Sequence, residues 1–294
     1  MNVVITIPAY NEESTIGKVI LEIKKVMSAT KYPYKILVVD DGSTDQTAAI
    51  AKKAGAIVYS HPKNYGLAET FKTETEQCLK LNADVVVHTD ADGQYLAEDI
   101  PKLIKEIENG NDIVLGSRFL GQIEYMPWLK RIGNKVFSKI ISGVARFKIQ
   151  DAQTGFRAFT KEVARKLDIT SNFTYTQEQI IRAVRAKFRV KEIPIYFARR
   201  KNGKSRLMRN PFDYALRSAI SILRIYRDYE PLKFFWSIGG TFFIIGAGVG
   251  SWLLYLFVRY GSIGHVPLTI LSALLMLIGV QIMLFGFLAD ILRR

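Results

Sequence analysis

Two stretches near the carboxyl terminus limit what this chain can fold into more than any other feature. Phe234 to Val258 and Val266 to Ala289 contain no Lys, Arg, Asp or Glu. Each is longer than the ~20 residues with which a helix crosses a hydrocarbon layer about 30 Å thick. The connector from Arg259 to His265 is short and contains glycine, so residues 233–294 are expected to form a transmembrane helical hairpin. Gly239, Gly240, Gly246, Gly248 and Gly250 permit close helix contact in lipid. Arg217, Arg224, Arg227 and Lys233 precede the first run and Arg293 and Arg294 follow the second, whereas the connector offers Arg259 alone. This bias makes the chain a multi-pass protein of the cell membrane and puts residues 1–210 on the cytoplasmic side. Residues 211–232, with an amphipathic stretch from Phe212 to Tyr229, are read as a juxtamembrane helix.

The rest of the chain is basic. The formal charge is +14, of which residues 233–294 contribute +3, leaving +11 for residues 1–232. Such an excess attracts nucleic acid, anionic lipid head groups or phosphorylated substrates. No nucleic-acid-binding motif is present, which directs the reading toward the other two. The opening residues, Met1 to Pro8, read as a strand and lack the regions of a cleaved signal peptide. The single cysteine, Cys78, permits no internal disulfide and is expected to be buried in a helix. One cysteine and three scattered histidines cannot build a zinc cage, so any metal would be a hard ion held by oxygen.

Strand-like runs alternate with amphipathic ones along the first half of the chain. Val3–Ile7 precedes Thr15–Met27, Tyr34–Val39 precedes Thr44–Ala54, and Ala56–Ser60 precedes Leu67–Leu81. Asp84–Thr89 then precedes Glu98–Glu108, and Asp112–Leu115 leads into a basic stretch. Unbroken Val and Ile runs suit strands buried on both faces, and the alternation predicts an α/β fold with a mostly parallel, doubly wound sheet. Ligands of such sheets bind beyond the carboxyl ends of the strands. Three of those ends carry Pro8-Ala9-Tyr10-Asn11-Glu12, Asp40-Asp41-Gly42-Ser43-Thr44-Asp45 and Asp90-Ala91-Asp92-Gly93-Gln94.

Asp90 and Asp92, one residue apart, can face one Mg2+ or Mn2+ that shares its remaining positions with substrate phosphates. Gln94 adds a neutral oxygen. A helix-capping role for the same aspartates is the alternative on spacing alone. Asp40 can accept hydrogen bonds from a nucleobase or ribose, with Pro8 and Tyr10 as a flat wall against the base; Ser43 or Thr44 can equally open the next helix. Arg118 is expected at the end of the fifth strand. Pro127 to Lys148 carries six basic residues, Arg131 among them, and no acid, with apolar residues near helical spacing. It reads as a basic amphipathic helix of the membrane interface. A second acid-free cluster runs from Arg199 to Arg209. Two basic runs facing an acidic rim suggest phosphate handling on both sides of a reaction.

Seven motifs in order carry a resemblance: IPAYNEE, VVDDGSTD, DADGQ, DIVLGSRF, DAQTGFRAF (151–159), EIPI (192–195) and GKSR (203–206). Over residues 1 to about 230 the chain resembles the family 2 glycosyltransferases, in particular the dolichyl- and polyprenyl-phosphate hexose synthases, and the two-span tail is similar to that of several members. The resemblance implies a GT-A catalytic domain. Its function would be metal-dependent inverting transfer of a hexose, from a GDP-mannose or UDP-glucose type of donor, to a dolichyl or polyprenyl phosphate. It implies that Pro8, Tyr10, Glu12 and Asp40 contact the nucleoside, and that Asp90, Ala91, Asp92 and Gln94 line the metal and diphosphate. Arg118 and Arg131 would hold the acceptor phosphate, and Arg200 and Arg206 would close over the donor. Arg206 stands where many members have lysine, Tyr95 where histidine or aspartate is frequent, and Gly66–Leu81 keeps little of the usual glycine pattern. A polysaccharide-chain synthase of the same fold is one alternative, although Gln179-Ile-Ile-Arg182-Ala183 lacks the tryptophan of that group's signature. A non-enzymatic basic protein that binds membranes is another.

Overall fold

The computed structural model describes residues 1–167, 169, 175–199, 220, 222–262 and 265–292. The chain divides into two compact units, Met1–Arg209 and Asn210–Arg294.

The first unit is built on a seven-stranded sheet in the order β3-β2-β1-β4-β6-β5-β7. Its strands are β1 (Val3–Ala9), β2 (Tyr34–Asp40), β3 (Ile57–Ser60), β4 (Val85–His88), β5 (Ile113–Ile123), β6 (Arg157–Thr160) and β7 (Val190–Phe197). The pairs β1–β2, β1–β4, β2–β3 and β5–β7 are parallel, whereas β6 runs antiparallel to both β4 and β5. Helices cover the sheet: α1 (Ile16–Ser28), α2 (Thr47–Lys53), α3 (Leu67–Lys80), α4 (Ile100–Glu108, after a 3-10 turn at Ala97–Asp99), α5 (Trp128–Ala145), α6 (Lys161–Lys166) and α7 (Tyr175–Arg185). Alternation along a pleated strand sends successive side chains to opposite faces. Val3, Ile5 and Ile7 of β1 join Ile16, Ile20 and Ile23 of α1 and Leu103 and Ile104 of α4 in one core. Cys78 is fully buried in α3, and burial holds its thiol well above the ordinary value.

The expected alternation of strands and helices is present, and its bounds shift by at most three residues. The exception is β5, which continues past Leu115 to Ile123 because β7 pairs with it on both sides of an irregularity between Ser117 and Gln122. Arg118 therefore lies inside a strand and not at its end. β6 and β7 come from the DAQTGFRAF and EIPI segments, outside the run of alternating strands and helices in the first half of the chain.

The second unit contains two long apolar helices, α8 (Pro231–Tyr260) and α9 (Val266–Ile291), each long and apolar enough to cross a membrane. They pack through small residues. A Cβ on Gly239 would lie 2.5 Å from the Gly279 carbonyl oxygen, and one on Gly279 would lie 2.6 Å from that of Gly239. The Ser272 hydroxyl donates to the Gly246 carbonyl at 2.8 Å, so one polar pair is satisfied inside the helix interface. Arg217 and the stretch 211–219 lie outside the described residues, as do Arg293 and Arg294.

Candidate active site

The parallel strands bring the three acidic ends to one rim. Ala9 is registered against Asp40, Thr6 against His88, and the Thr89 amide donates to the Thr6 carbonyl at 3.0 Å. Pro8, Tyr10, Asp40, Asp90 and Asp92 therefore leave neighbouring strands on the same side. Asn11, at φ +52°, turns the chain out of β1. Its amide donates to the Ser43 hydroxyl at 2.9 Å and its side-chain oxygen accepts from the Thr44 amide at 2.7 Å. The Glu12 amide donates to the Thr47 hydroxyl at 2.8 Å. These bonds stitch the loop after β1 to the loop after β2.

The two adjacent aspartates after β2 divide their work. Asp40 accepts from the Ser43 amide at 3.2 Å and is buried at the rim. Asp41 is committed to structure: its carboxylate meets His61 Nδ1 at 2.8 Å and accepts from the Tyr65 and Gly66 amides, each at 2.9 Å. Gly42, at φ +70°, lies so close to Lys63 that a Cβ there would stand 2.7 Å from the Lys63 Cα. Neither Ser43 nor Thr44 caps α2, which begins at Thr47 with Asp45 accepting from the Thr47 amide at 2.9 Å.

Asp90 and Asp92 cap no helix either; the following helical turns start at Ala97 and Ile100. Asp92 accepts from the Gln94 amide at 3.0 Å, and Gly93 takes φ +71°. Burial, reinforced by the Asp92 carboxylate, pushes Asp90 up to about 6 against the opposing pull of His88 and Arg118. Two carboxylates crowded in this way fit a divalent cation, which would favour both in their charged form. Hard oxygen donors, two in number, suit an ion that keeps positions for substrate phosphates. Among the described residues no group of three or more His, Cys, Asp or Glu could complete a closed cage. Gln94 is tied to the end of β7: its side-chain amide donates to the Ala198 carbonyl at 3.1 Å and its carbonyl accepts from the Ala198 amide at 2.9 Å. Ala91 is buried between the two aspartates.

Behind this rim lies an arginine that the structure treats differently from a surface cation. Arg118 is buried, and its Nε and Nη2 donate to the two oxygens of Asp151 at 2.6 and 2.7 Å, while its amide donates to Oδ2 at 3.1 Å. Burial opposes the charge, but Tyr95, Asp151 and Asp90 together hold the guanidinium protonated above its ordinary value. Asp151 is itself fixed from two sides. Glu192 accepts from the Gln150 and Asp151 amides at 2.7 and 2.9 Å. From α5, the Ser138 hydroxyl accepts from the Ala152 amide at 3.0 Å and that of Ser142 accepts from the Ile149 amide at 2.9 Å. The same segment reaches Asp90, because a Cβ on Gly155 would stand 3.1 Å from its Oδ1. The Tyr95 hydroxyl accepts from the Gly155 amide at 3.2 Å, and burial pushes this phenol up to about 12. Asp151, Glu192 and Ser138 were not among the expected site residues. The DAQTGFRAF and EIPI motifs contained two of them, but a carboxylate that acts on another side chain has no sequence signature of its own.

Arg131 is exposed on the first turn of α5, whereas Arg118 is buried. Arg200 and Arg206 lie outside the described residues. Gln179 serves a structural purpose, accepting from buried Arg157 at 2.9 Å.

Known proteins resemble this chain in sequence and in fold. Residues 4–168 match the family described as Glycosyl transferase family 2, and residues 230–294 match the GtrB C-terminal hairpin. A dolichyl-phosphate hexose transferase of Haloferax volcanii is 32% identical over 217 residues, which cover 74% of this chain and 90% of that protein. A dolichol-phosphate mannosyltransferase of Pyrococcus furiosus is 30% identical over 288 residues, covering 93% of this chain and 78% of that one. Among solved structures, glucosyl-3-phosphoglycerate synthase from Mycobacterium tuberculosis, in complex with Mn2+, UDP and phosphoglyceric acid, superposes with a TM-score of 0.59. At 18% identity over 75% of this chain and 78% of that one, the likeness establishes the GT-A-like fold alone.

Proposed function

The chain belongs to glycosyl transferase family 2, and on that footing we propose that it transfers a hexose from a nucleotide diphosphate sugar to a dolichyl or polyprenyl phosphate, at the cytoplasmic face of the membrane. Supporting the acceptor are the relatives named as dolichyl-phosphate transferases and the apolar hairpin. The observation that carries the reading is the opposition of two charge environments within one site. Asp90 and Asp92 crowd negative charge at the rim, and the buried Arg118 lies near enough to lower the pKa of Asp90.

In this reading Pro8, Tyr10, Glu12 and Asp40 receive the nucleoside. Asp90 and Asp92, with Gln94 beside them, would hold Mg2+ or Mn2+, which when bound neutralises charge on the departing diphosphate. Arg118 and Arg131 receive the acceptor phosphate, and Arg200 and Arg206 the donor phosphates. An acceptor phosphate oxygen attacks the anomeric carbon as the bond to the diphosphate breaks, inverting the configuration. A phosphate monoester is largely ionised at neutral pH, with a second pKa of about 6. The protein therefore has no need to supply a dedicated general base, and its contribution is positioning and charge stabilisation. Arg118, locked by Asp151 before any ligand arrives, loses little freedom on binding an anion.

Membranes supplied with polyprenyl phosphate and a panel of labelled UDP- and GDP-sugars test the reading directly. One donor is expected to label the extracted lipid, and chelation to stop it. No labelled lipid from any donor, or full transfer in chelator, would overturn it.

A further inference from the structure

Next to Arg118, whose guanidinium stands 5.9 Å from the centre of the Phe119 ring, Phe119, α5 and the turn after it line a cavity of about 340 Å3 whose lining includes Lys135, Lys139 and Lys148 and no acidic residue. Among the described residues none of these three ammonium groups takes part in an ion pair with a carboxylate. Three like charges around one hollow raise its potential and favour an anion. The hollow has fixed walls. Ser142, which lines it, donates to the Ser138 carbonyl at 2.7 Å and accepts from the Ile149 amide at 2.9 Å, while the Lys135 ammonium stands 5.8 Å from the centre of the Phe119 ring.

The surroundings identify the source of the anion. Helical spacing puts Lys135 and Lys139 on the same outward arc of α5 as Trp128, Ile132 and Val136, which are 72%, 52% and 50% exposed. The opposite arc, through Phe137, Ile141 and Val144, is buried against the protein. A soluble phosphate would make no use of three large apolar side chains turned away from the core. A bilayer surface uses both: the apolar groups enter the acyl boundary while the lysine stems carry their charge to the level of the phosphates.

We propose that this cavity binds the phosphate diester of an anionic membrane phospholipid, at a site separate from that of the acceptor. The proposal rests on the reading that the chain works at a bilayer. Native mass spectrometry of the full chain in neutral detergent, titrated with phosphatidylglycerol or phosphatidylcholine, tests it. One phosphatidylglycerol per chain is expected to be retained in preference to phosphatidylcholine. The double variant Lys139→Gln with Lys148→Gln should lower that occupancy roughly tenfold or more, whereas Lys53→Gln on α2 should leave it unchanged. The charge-conserving pair Lys139→Arg with Lys148→Arg should retain the lipid, which separates lost charge from lost fold. Equal retention of the two lipids, unchanged occupancy in the glutamine variant, or loss in the arginine variant would overturn the proposal. Displacement by millimolar inorganic phosphate would assign the cavity to a soluble anion, and displacement by equimolar polyprenyl phosphate would make it part of the acceptor site; either result also overturns it. No sugar donor enters the measurement. A chain that holds phosphatidylglycerol yet labels no lipid would therefore refute the transfer reaction and leave the cavity standing.

Discussion

Asp90 is a carboxyl group whose charge depends on what stands beside it. Its pKa in the fold, about 6, lies above the ordinary 3.8, so the native protein holds this proton more tightly than the unfolded chain does. The stabilisation is complete below the lower value and is lost as the pH rises through the upper one. In chelator the protein should therefore lose on the order of 2–3 kcal/mol between pH 4 and pH 7 from this group. Thermal unfolding of wild type against Asp90→Asn measures it: the difference should shrink when Mn2+ is added, and a wild type that gains stability with pH relative to the variant contradicts it. Asp92→Ala should lower sugar transfer on the order of 10²–10³-fold while the melting temperature holds, which a labelled-lipid assay beside a melt would show. Asp151 answers to a different balance. Its loss leaves Arg118 buried and unpaired, so Asp151→Ala should cost about 3–5 kcal/mol, much of it recovered in the double variant Asp151→Ala with Arg118→Met. Denaturant unfolding of the four proteins of that cycle gives the answer.

At the scale of elements, β1 through α4 were legible in the sequence because the strands there are mostly apolar runs and α1 and α4 each carry one buried apolar stripe. β6 and β7 were not. Four residues containing a buried arginine do not look like a strand, and Arg157 is buried only because Gln179 and backbone carbonyls from Thr154 and Thr176 receive its guanidinium. The rim aspartates were legible as a group, but Asp151, which pairs with Arg118, lies 33 residues downstream of it, Glu192 and Ser138, which hold that segment, come from β7 and α5, and no local pattern joins them. The hairpin glycines were legible as small residues without a direction, and the structure gives them one. Gly279 faces the backbone of Gly239, whereas nothing lies within 4 Å of a Cβ placed on Gly240. Gly279→Leu should part α8 from α9 and Gly240→Ala should leave them together. Disulfide trapping of cysteine pairs placed across the helix interface distinguishes the two, with efficient trapping in Gly279→Leu as the result that defeats this packing.

The whole molecule offers a clean test of its own orientation, because Cys78 is free, fully buried and held protonated by that burial. A cysteine introduced elsewhere is then the reactive thiol. Ser262→Cys in the connector should react with a membrane-impermeant maleimide on intact cells, and Glu22→Cys on the exposed side of α1 only after permeabilisation. The reverse pattern would place residues 1–199 outside. Within that first unit, the antiparallel β6 stands between β4 and β5, so the chain entering it must pass between their ends. Five residues, Asp151 to Gly155, consequently touch Arg118 at one end and Asp90 at the other. A ligand that draws Asp90 forward pulls on the same short span that orients Arg118. If occupancy of one half of the candidate site changes affinity at the other through this span, reciprocity requires the same factor in both directions.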